Sequence, residues 1–271
     1  MHDSHLVSDF YALIRQYWSE LSAFNATEST AMLNFGYWPA SVDNLYEAQQ
    51  AFVDKIVSSI PESCRNGLGL EIGCGIGGVS IAVLKRLHHA NLLGIDISQE
   101  QLTLASANAA VYGVGGRVDF KVGDSMLLPL DDASVDFSLC IESSFHYEEK
   151  GLFFQECFRT LKPGGIAVVA DITCQNVNGI RFRHGNHFEG VEYYRKLIAL
   201  SGFELLSEED IGQSVYGPLY RHILAFNRMS RSHVSKYWSL VLNNYLNLSN
   251  AKEMGYHIFT IRRPFESACL S

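Results

Sequence analysis

From Gly67 onward the chain alternates short apolar runs with longer amphipathic stretches, and this rhythm constrains the fold more than any other feature. The runs at 67–73 (GLGLEIG), 91–97 (NLLGIDI), 118–124 (VDFKVGD), 135–143 (VDFSLCIES) and 164–172 (GGIAVVADI) read as strands one to five. Strands so rich in Val, Ile and Leu suit a parallel sheet covered on both faces. Helices are predicted between them over 77–87, 98–113 and 150–165. Ser98 caps the second of these and Gly113 ends it, while Pro163-Gly164-Gly165 stops the third. Two late strands, 203–211 and 256–264, flank a long helical stretch over about 215–248. Upstream, 5–25 reads as a helix with Leu6, Phe10, Leu13, Ile14, Tyr17, Trp18 and Leu21 at helical spacing, and 43–60 as a second helix closed by Pro61. The predicted fold is α/β, a seven-stranded, mostly parallel sheet flanked by helices. Residues 1–60 are expected to form an N-terminal helical lid, and 61–271 the sheet domain, with a helical region at about 212–250 inserted before the last strand and covering substrate.

Charge and composition narrow the partners. The net charge is −8, and no Lys/Arg run exceeds the pair Arg262-Arg263, so the basic stripe that a nucleic-acid binder needs is missing from the sequence. No run approaches the roughly 18 apolar residues of a membrane span. The N-terminal MHDSHLVSDF has acids where a signal peptide needs basic residues, so a soluble cytoplasmic protein is expected. The six cysteines (Cys64, Cys74, Cys140, Cys157, Cys174, Cys269) form no CxxC pair and no cluster with histidines, so they read as reduced fillers and no metal site is expected.

The turn after the first strand, Leu70-Glu71-Ile72-Gly73-Cys74-Gly75-Ile76-Gly77-Gly78, satisfies the GxGxxG dinucleotide pattern through Gly73, Gly75 and Gly78. Taken alone it fits a nicotinamide cofactor or S-adenosylmethionine (SAM). Asp96, at the end of the second strand, suits the ribose of either. Glu71 separates the two readings: beside a pyrophosphate its carboxylate repels, whereas beside the methionyl ammonium of SAM it attracts. Asp124, ending the third strand, can accept from an adenine amino group, an acid that a nicotinamide enzyme does not require.

LEIGCGIGG, GIDIS, VGDS, VDFSLCIES and LKPGG, in this order and spacing, resemble the successive signatures of class I SAM-dependent methyltransferases, closely over 68–172 and loosely elsewhere. The resemblance implies a Rossmann-like fold with SAM as cofactor. It implies that Gly73, Gly75 and Gly77 face the methionyl part, with Glu71 near the ammonium and Ile141 under the chain. Asp96, with Gln101 one turn into the next helix, is expected at the ribose. Ile97 and Met126 are expected to sandwich the adenine, with Asp124 or Ser125 reading its edge. Asn34-Phe35-Gly36-Tyr37-Trp38 resembles the segment that closes over SAM in methyltransferases of small metabolites, placing Tyr17 and Tyr37 at the carboxylate or sulfonium.

At the reacting centre, CIESSFHYEE follows the fourth strand, and His146 resembles the histidine of an ESxxH element. With an ordinary pKa near 6.5 it suits either a general base or a hydrogen bond to substrate. Glu142 reads as a backbone or structural contact near SAM, with orienting substrate as the alternative, and His184 and His187 as loop residues near substrate. Tyr216, Tyr220, Tyr237, Trp238 and Tyr245 supply an aromatic wall that suits an apolar or aromatic small molecule. Methylation of oxygen or carbon is the leading expectation, with loose similarity to the phthiotriol- and sterol-type branch. The alternatives are a small-amine N-methyltransferase, an NAD(P)-binding oxidoreductase and a non-catalytic SAM-binding subunit.

Overall fold

The computed structural model describes residues 15–28, 30–181, 185–229 and 233–265. Leu6, Phe10, Tyr11, Leu13, Ile14, His184 and Cys269 lie outside the described residues. Residues 15–23 are helical (α1). There follow α2 (Leu45–Ser58), β1 (Leu68–Ile72), α3 (Gly78–Arg86), β2 (Asn91–Asp96), α4 (Gln99–Val111), β3 (Val118–Val122) and β4 (Val135–Ile141). The remainder is α5 (Lys150–Thr160), β5 (Leu161–Cys174), α6 (Val191–Leu200), β6 (Glu204–Asp210), α7 (Tyr216–Asn227), α8 (His233–Asn250) and β7 (Met254–Arg262).

The seven strands form one sheet in the order β3-β2-β1-β4-β5-β7-β6. β1 to β5 are mutually parallel, and β7 runs antiparallel to both β5 and β6. Strand order reverses where β1 meets β4, and a cleft opens beyond the carboxyl ends of such a pair. The caps are local: Ser98 accepts from the Gln101 amide at α4, and Asn44 Oδ1 accepts from the Glu47 amide at α2 (2.9 Å).

Three boundaries differ from the sequence expectation. Helix α5 ends at Thr160, not at Pro163-Gly165, because Leu161 already pairs with Val135 and the Gly164 amide donates to Arg263 O. The stretch expected as one helix is two, α7 and α8, joined where Asn227 Nδ2 donates to Ser235 O (3.0 Å) and Ser239 Oγ (2.6 Å). Helix α6, unforeseen, buries Tyr194, Leu197 and Ile198 against the sheet.

One face of the sheet packs on α5 and α6 through Phe153, Phe154, Tyr194 and Phe259. The other face shares a core with α2, α7, α8 and the N-terminal segment. Residues 31–38 cross this second face as an irregular strap. Gln49 Nε2 on α2 donates to Met32 O and Asn34 O, the Tyr37 amide donates to Ala48 O, and the Trp38 amide to Ser214 O. Trp18 packs at a tilt against Phe35 and Trp238. Among the described residues no helix is long and apolar enough to cross a membrane. Cys64, Cys74, Cys140, Cys157 and Cys174 are buried thiols.

Candidate cofactor and acceptor site

Beyond β1 the chain reverses through Gly73, Gly75 and Gly77, whose φ angles of 74°, 52° and 77° belong to the left-handed region. A Cβ on Gly73 would lie 1.7 Å from Ser143 Oγ, so the turn is pressed against the end of β4. The amides of Gly73 and Cys74 both donate to Ile95 O, and the Gly75 amide donates to Asp96 Oδ2 (2.9 Å). Asp96 Oδ1 accepts from the Ser98 amide (2.9 Å). One carboxylate thus ties the glycine turn to the start of α4.

These elements enclose a cavity of about 360 Å³ beyond β1–β4. Glu71, Gly73, Gly75, Asp96, Ile97, Gln101, Asp124, Ser125, Met126, Ile141 and His146 all line it. Eleven of the fourteen residues singled out in the sequence therefore meet in one cleft. Ile97 is 54% exposed, an apolar side chain open to the cleft where the adenine was expected. Asp124 Oδ1 accepts from the Met126 amide (2.9 Å), closing the turn that carries Ser125 and Met126.

Gly77, Tyr17 and Tyr37 do not line the cavity. Gly77 faces inward as the N-cap of α3, where a Cβ would meet Phe120 and Ala105. Tyr17 is buried between Trp18 and Phe226. Tyr37 turns its ring toward Lys55, whose Nζ lies 5.0 Å from the ring centroid. Their aromatic character serves packing. In their place the strap contributes Ala31, Met32, Leu33 and Asn34 to the cavity wall.

The strap is seated directly on the glycine turn: a Cβ on Gly78 would lie 2.5 Å from Ala31 C, Ala31 O and Met32 N. A Gly78→Val substitution is expected to displace it, weaken binding of S-adenosylhomocysteine about tenfold and lower the thermal midpoint by a few degrees. Calorimetry beside a melting curve reads both effects, and unchanged affinity would refute the seating.

The electrostatics set the two ends of the cleft apart. Glu71 is 2% exposed and accepts from Ser80 Oγ. Burial, aided by the nearby Asp96 charge, pushes its carboxyl up to about 8. Burial also raises Asp96, against the pull of the amides it accepts from. Glu71, Asp96 and Asp124 thus gather three carboxyl groups at this end of the cavity.

At the other end, residues Ser144–His146 form a single 3-10 turn. Beneath it Asp171, fully buried on β5, accepts from Ser144 Oγ, from Tyr194 OH (2.9 Å) and from the Ile172 amide (2.8 Å). Buried Lys150 donates to Tyr147 O (2.8 Å) and His187 O (2.5 Å), pinning two rims of the cleft together. His187 lines the cavity; His184 is not described. Burial pushes the His146 imidazole down to about 3, outweighing a side-chain hydrogen bond with Asn186 that raises it, and the Lys150 charge lowers it further. The ordinary histidine pKa expected from sequence does not hold in this setting, and the ring is neutral throughout the physiological range.

Glu142, next to this turn, has φ of 47°, rare for a residue with a side chain and costing on the order of 1 kcal/mol. Its Oε1 accepts from the Phe35 amide (2.7 Å) and from Tyr256 OH (2.8 Å), joining β4 to the strap and β7. Burial raises its carboxyl to about 8. The sequence favours a structural role for Glu142 over orienting substrate and does not single out Ser143, Tyr147 and Glu148, which also line the cleft. Their position inside CIESSFHYEE was the available signal. Among the described residues no group of three or more His, Cys, Asp or Glu is arranged to hold a metal ion.

A sheet in this order with its seventh strand reversed, and with acids lining the cleft beyond β1, β2 and β3, defines a class I SAM-dependent methyltransferase. Residues 70–169 match the family model described as methyltransferase domain, and the chain belongs to this class. It is 28% identical over 212 residues to methyltransferase GfsG of Streptomyces halstedii, covering 74% of this chain and 76% of that protein. It is 27% identical over 249 residues to the 27-O-demethylrifamycin SV methyltransferase of Amycolatopsis mediterranei (strain S699), covering 86% of this chain and 90% of that protein. The crystal structure of the 4+2 cyclase SpnF matches with a TM-score of 0.78 at 24% identity over 97% of both chains, a likeness of fold.

Proposed function

We propose that the chain transfers a methyl group from SAM to an oxygen or carbon of a small apolar or aromatic metabolite. The observation that carries this reading is one cleft in which Glu71, Asp96 and Asp124 gather at the ends of β1–β3 while Glu142, Ser143, His146 and Tyr147 stand beyond β4. The donor set fits the cofactor: carboxylates for a cation and a ribose diol, glycine amides for a backbone approach, and exposed Ile97 with Met126 for a flat base. Asp96 and Gln101 are assigned to the ribose, and Asp124 or Ser125 to the adenine edge. Glu71, Gly73, Gly75 and Ile141 are assigned to the methionyl part. When bound, SAM supplies an electrophilic methyl group on a sulfonium.

The chain's own residues then orient the acceptor and exclude water, which supplies much of the acceleration in an in-line displacement. His146 is neutral and stands at the acceptor end, where it orients a substrate by hydrogen bonding more readily than it holds a proton. The Amycolatopsis relative is named for an oxygen acceptor, as a 27-O-demethylrifamycin SV methyltransferase, which supports oxygen over carbon. We read residues 1–60 as a lid over the sheet domain 61–271, supported by strap residues 31–34 lining the cavity. Buried thiols suit a reducing, cytoplasmic setting.

Calorimetric titration of the purified protein with SAM, S-adenosylhomocysteine and NADH tests the central claim. Binding of the first two and none of NADH is expected. Binding of NADH alone would overturn it in favour of an oxidoreductase.

A further inference from the structure

Glu142 is held in place more firmly than a cleft-lining side chain requires. Its amide donates to Ala170 O (2.8 Å), its backbone is in the left-handed region, and its Oε1 takes two donors from distant parts of the chain. A strained backbone at a cleft is retained where the surroundings over-determine it, and it marks a functional position. Glycine would relax the backbone at this point but provide no carboxylate.

The two oxygens are used unequally. Oε1 is saturated by Phe35 and Tyr256, whereas Oε2 has no hydrogen-bond partner among the described residues and is not sealed off, in a side chain that lines the cavity. Above about pH 8, or once a bound cation has ionised it, the Glu142 carboxylate only accepts hydrogen bonds, so what Oε2 selects from a ligand is a donor. The acids facing the cofactor end stand beyond β1, β2 and β3. Glu142 stands beyond β4, beside Ser143, His146 and Tyr147, at the acceptor end.

We propose that Glu142 is the residue that binds the methyl acceptor by its hydroxyl group, Oε2 accepting the hydroxyl hydrogen, so that the acceptor class is a small alcohol or phenol. The proposal rests on the methyltransferase reading above. The two tethers on Oε1 fix the direction of Oε2, and a fixed acceptor is what lets a site tell a hydroxyl from its methyl ether. Because the ether is the product of methylation, the same discrimination favours product release.

The test uses the full-length protein saturated with S-adenosylhomocysteine at about pH 9, where Glu142 is ionised, and matched sets of aromatic phenols and alcohols, their methyl ethers and the corresponding amines. Binding is read by saturation-transfer NMR and calorimetry. Hydroxyl members are expected to bind about tenfold or more tightly than their ethers. Glu142→Gln keeps a carbonyl oxygen for Phe35 and Tyr256 but turns an NH2 to the cavity, and is expected to bring the pairs within about twofold of each other. Tyr256→Phe, which removes one tether and leaves Oε2, is expected to keep the preference. No hydroxyl preference in the wild-type protein, a preference surviving in Glu142→Gln, or equal loss in Tyr256→Phe overturns the assignment. Tighter binding of the amines overturns the hydroxyl class. Wild-type protein that fails to bind S-adenosylhomocysteine sinks the methyltransferase reading itself, whereas cofactor binding without hydroxyl preference sinks only this assignment.

Discussion

Asp96→Ala is expected to weaken SAM binding by about a hundredfold or more, on the order of 3 kcal/mol. The size of the effect follows from what the carboxylate holds. Its two oxygens accept from the amides of Gly75 and Ser98, each at 2.9 Å, so it both shapes the glycine turn and starts α4. Hydrogen bonds to a charged group contribute about 1.5–3 kcal/mol each, and the ribose contact assigned to Asp96 adds to them. Asp96→Asn keeps one acceptor oxygen and places an NH2 against an amide donor, so an intermediate loss is expected. Calorimetry reports the affinity, and a melting curve separates it from unfolding. Affinity within threefold of wild type in the alanine variant would remove Asp96 from the cofactor site.

The second large effect concerns pH. Glu71 and Glu142 are both raised to about 8 by burial, well above the ordinary 4.5 that they recover on unfolding. In the ligand-free protein their protonated forms are favoured by folding, so the stability they contribute is fully present below pH 4.5 and is lost as pH rises through 8. A bound cation reverses the preference, because it stabilises the ionised carboxylates and releases their protons. SAM affinity is therefore expected to rise by about tenfold per pH unit between roughly pH 6 and 8 for each proton released, then level off. The thermal midpoint of the ligand-free protein is expected to fall over the same window while the SAM-induced increase in it grows. Calorimetry in buffers of different ionisation enthalpy counts the protons directly. A flat affinity profile would show that both acids are already ionised before the cofactor arrives.

How much was legible in sequence depended on how local the determining contacts are. β1 to β4 are short apolar runs bounded by glycine or polar turns, and their identity follows from their own residues. The caps of α2 and α4 are equally local. The junction of α5 and β5 was misjudged because it is set by pairing with Val135 and Arg263, partners remote in the chain. The same holds within the site. Glu71, Asp96 and Asp124 could be named because strand ends in a parallel sheet converge. Gly77 looks like its neighbours in the string of glycines, and only Phe120 and Ala105 reveal that it faces inward. Tyr17 and Tyr37 had the right chemistry, but their directions depend on Phe226 and Lys55. For His146 the position was readable and the burial that depresses its pKa was not.

The meeting of strap and insertion also determines what light can report about this protein. The sequence has three tryptophans, Trp18, Trp38 and Trp238, and all are buried where the strap crosses α7 and α8. Trp18 lies 4.7 Å from Trp238, and Trp38 lies 5.3 Å from His222, centroid to centroid. The sheet itself contains no indole, so intrinsic tryptophan emission is a local gauge of the covering layer, recording its movements and remaining dark to changes in the strands beneath.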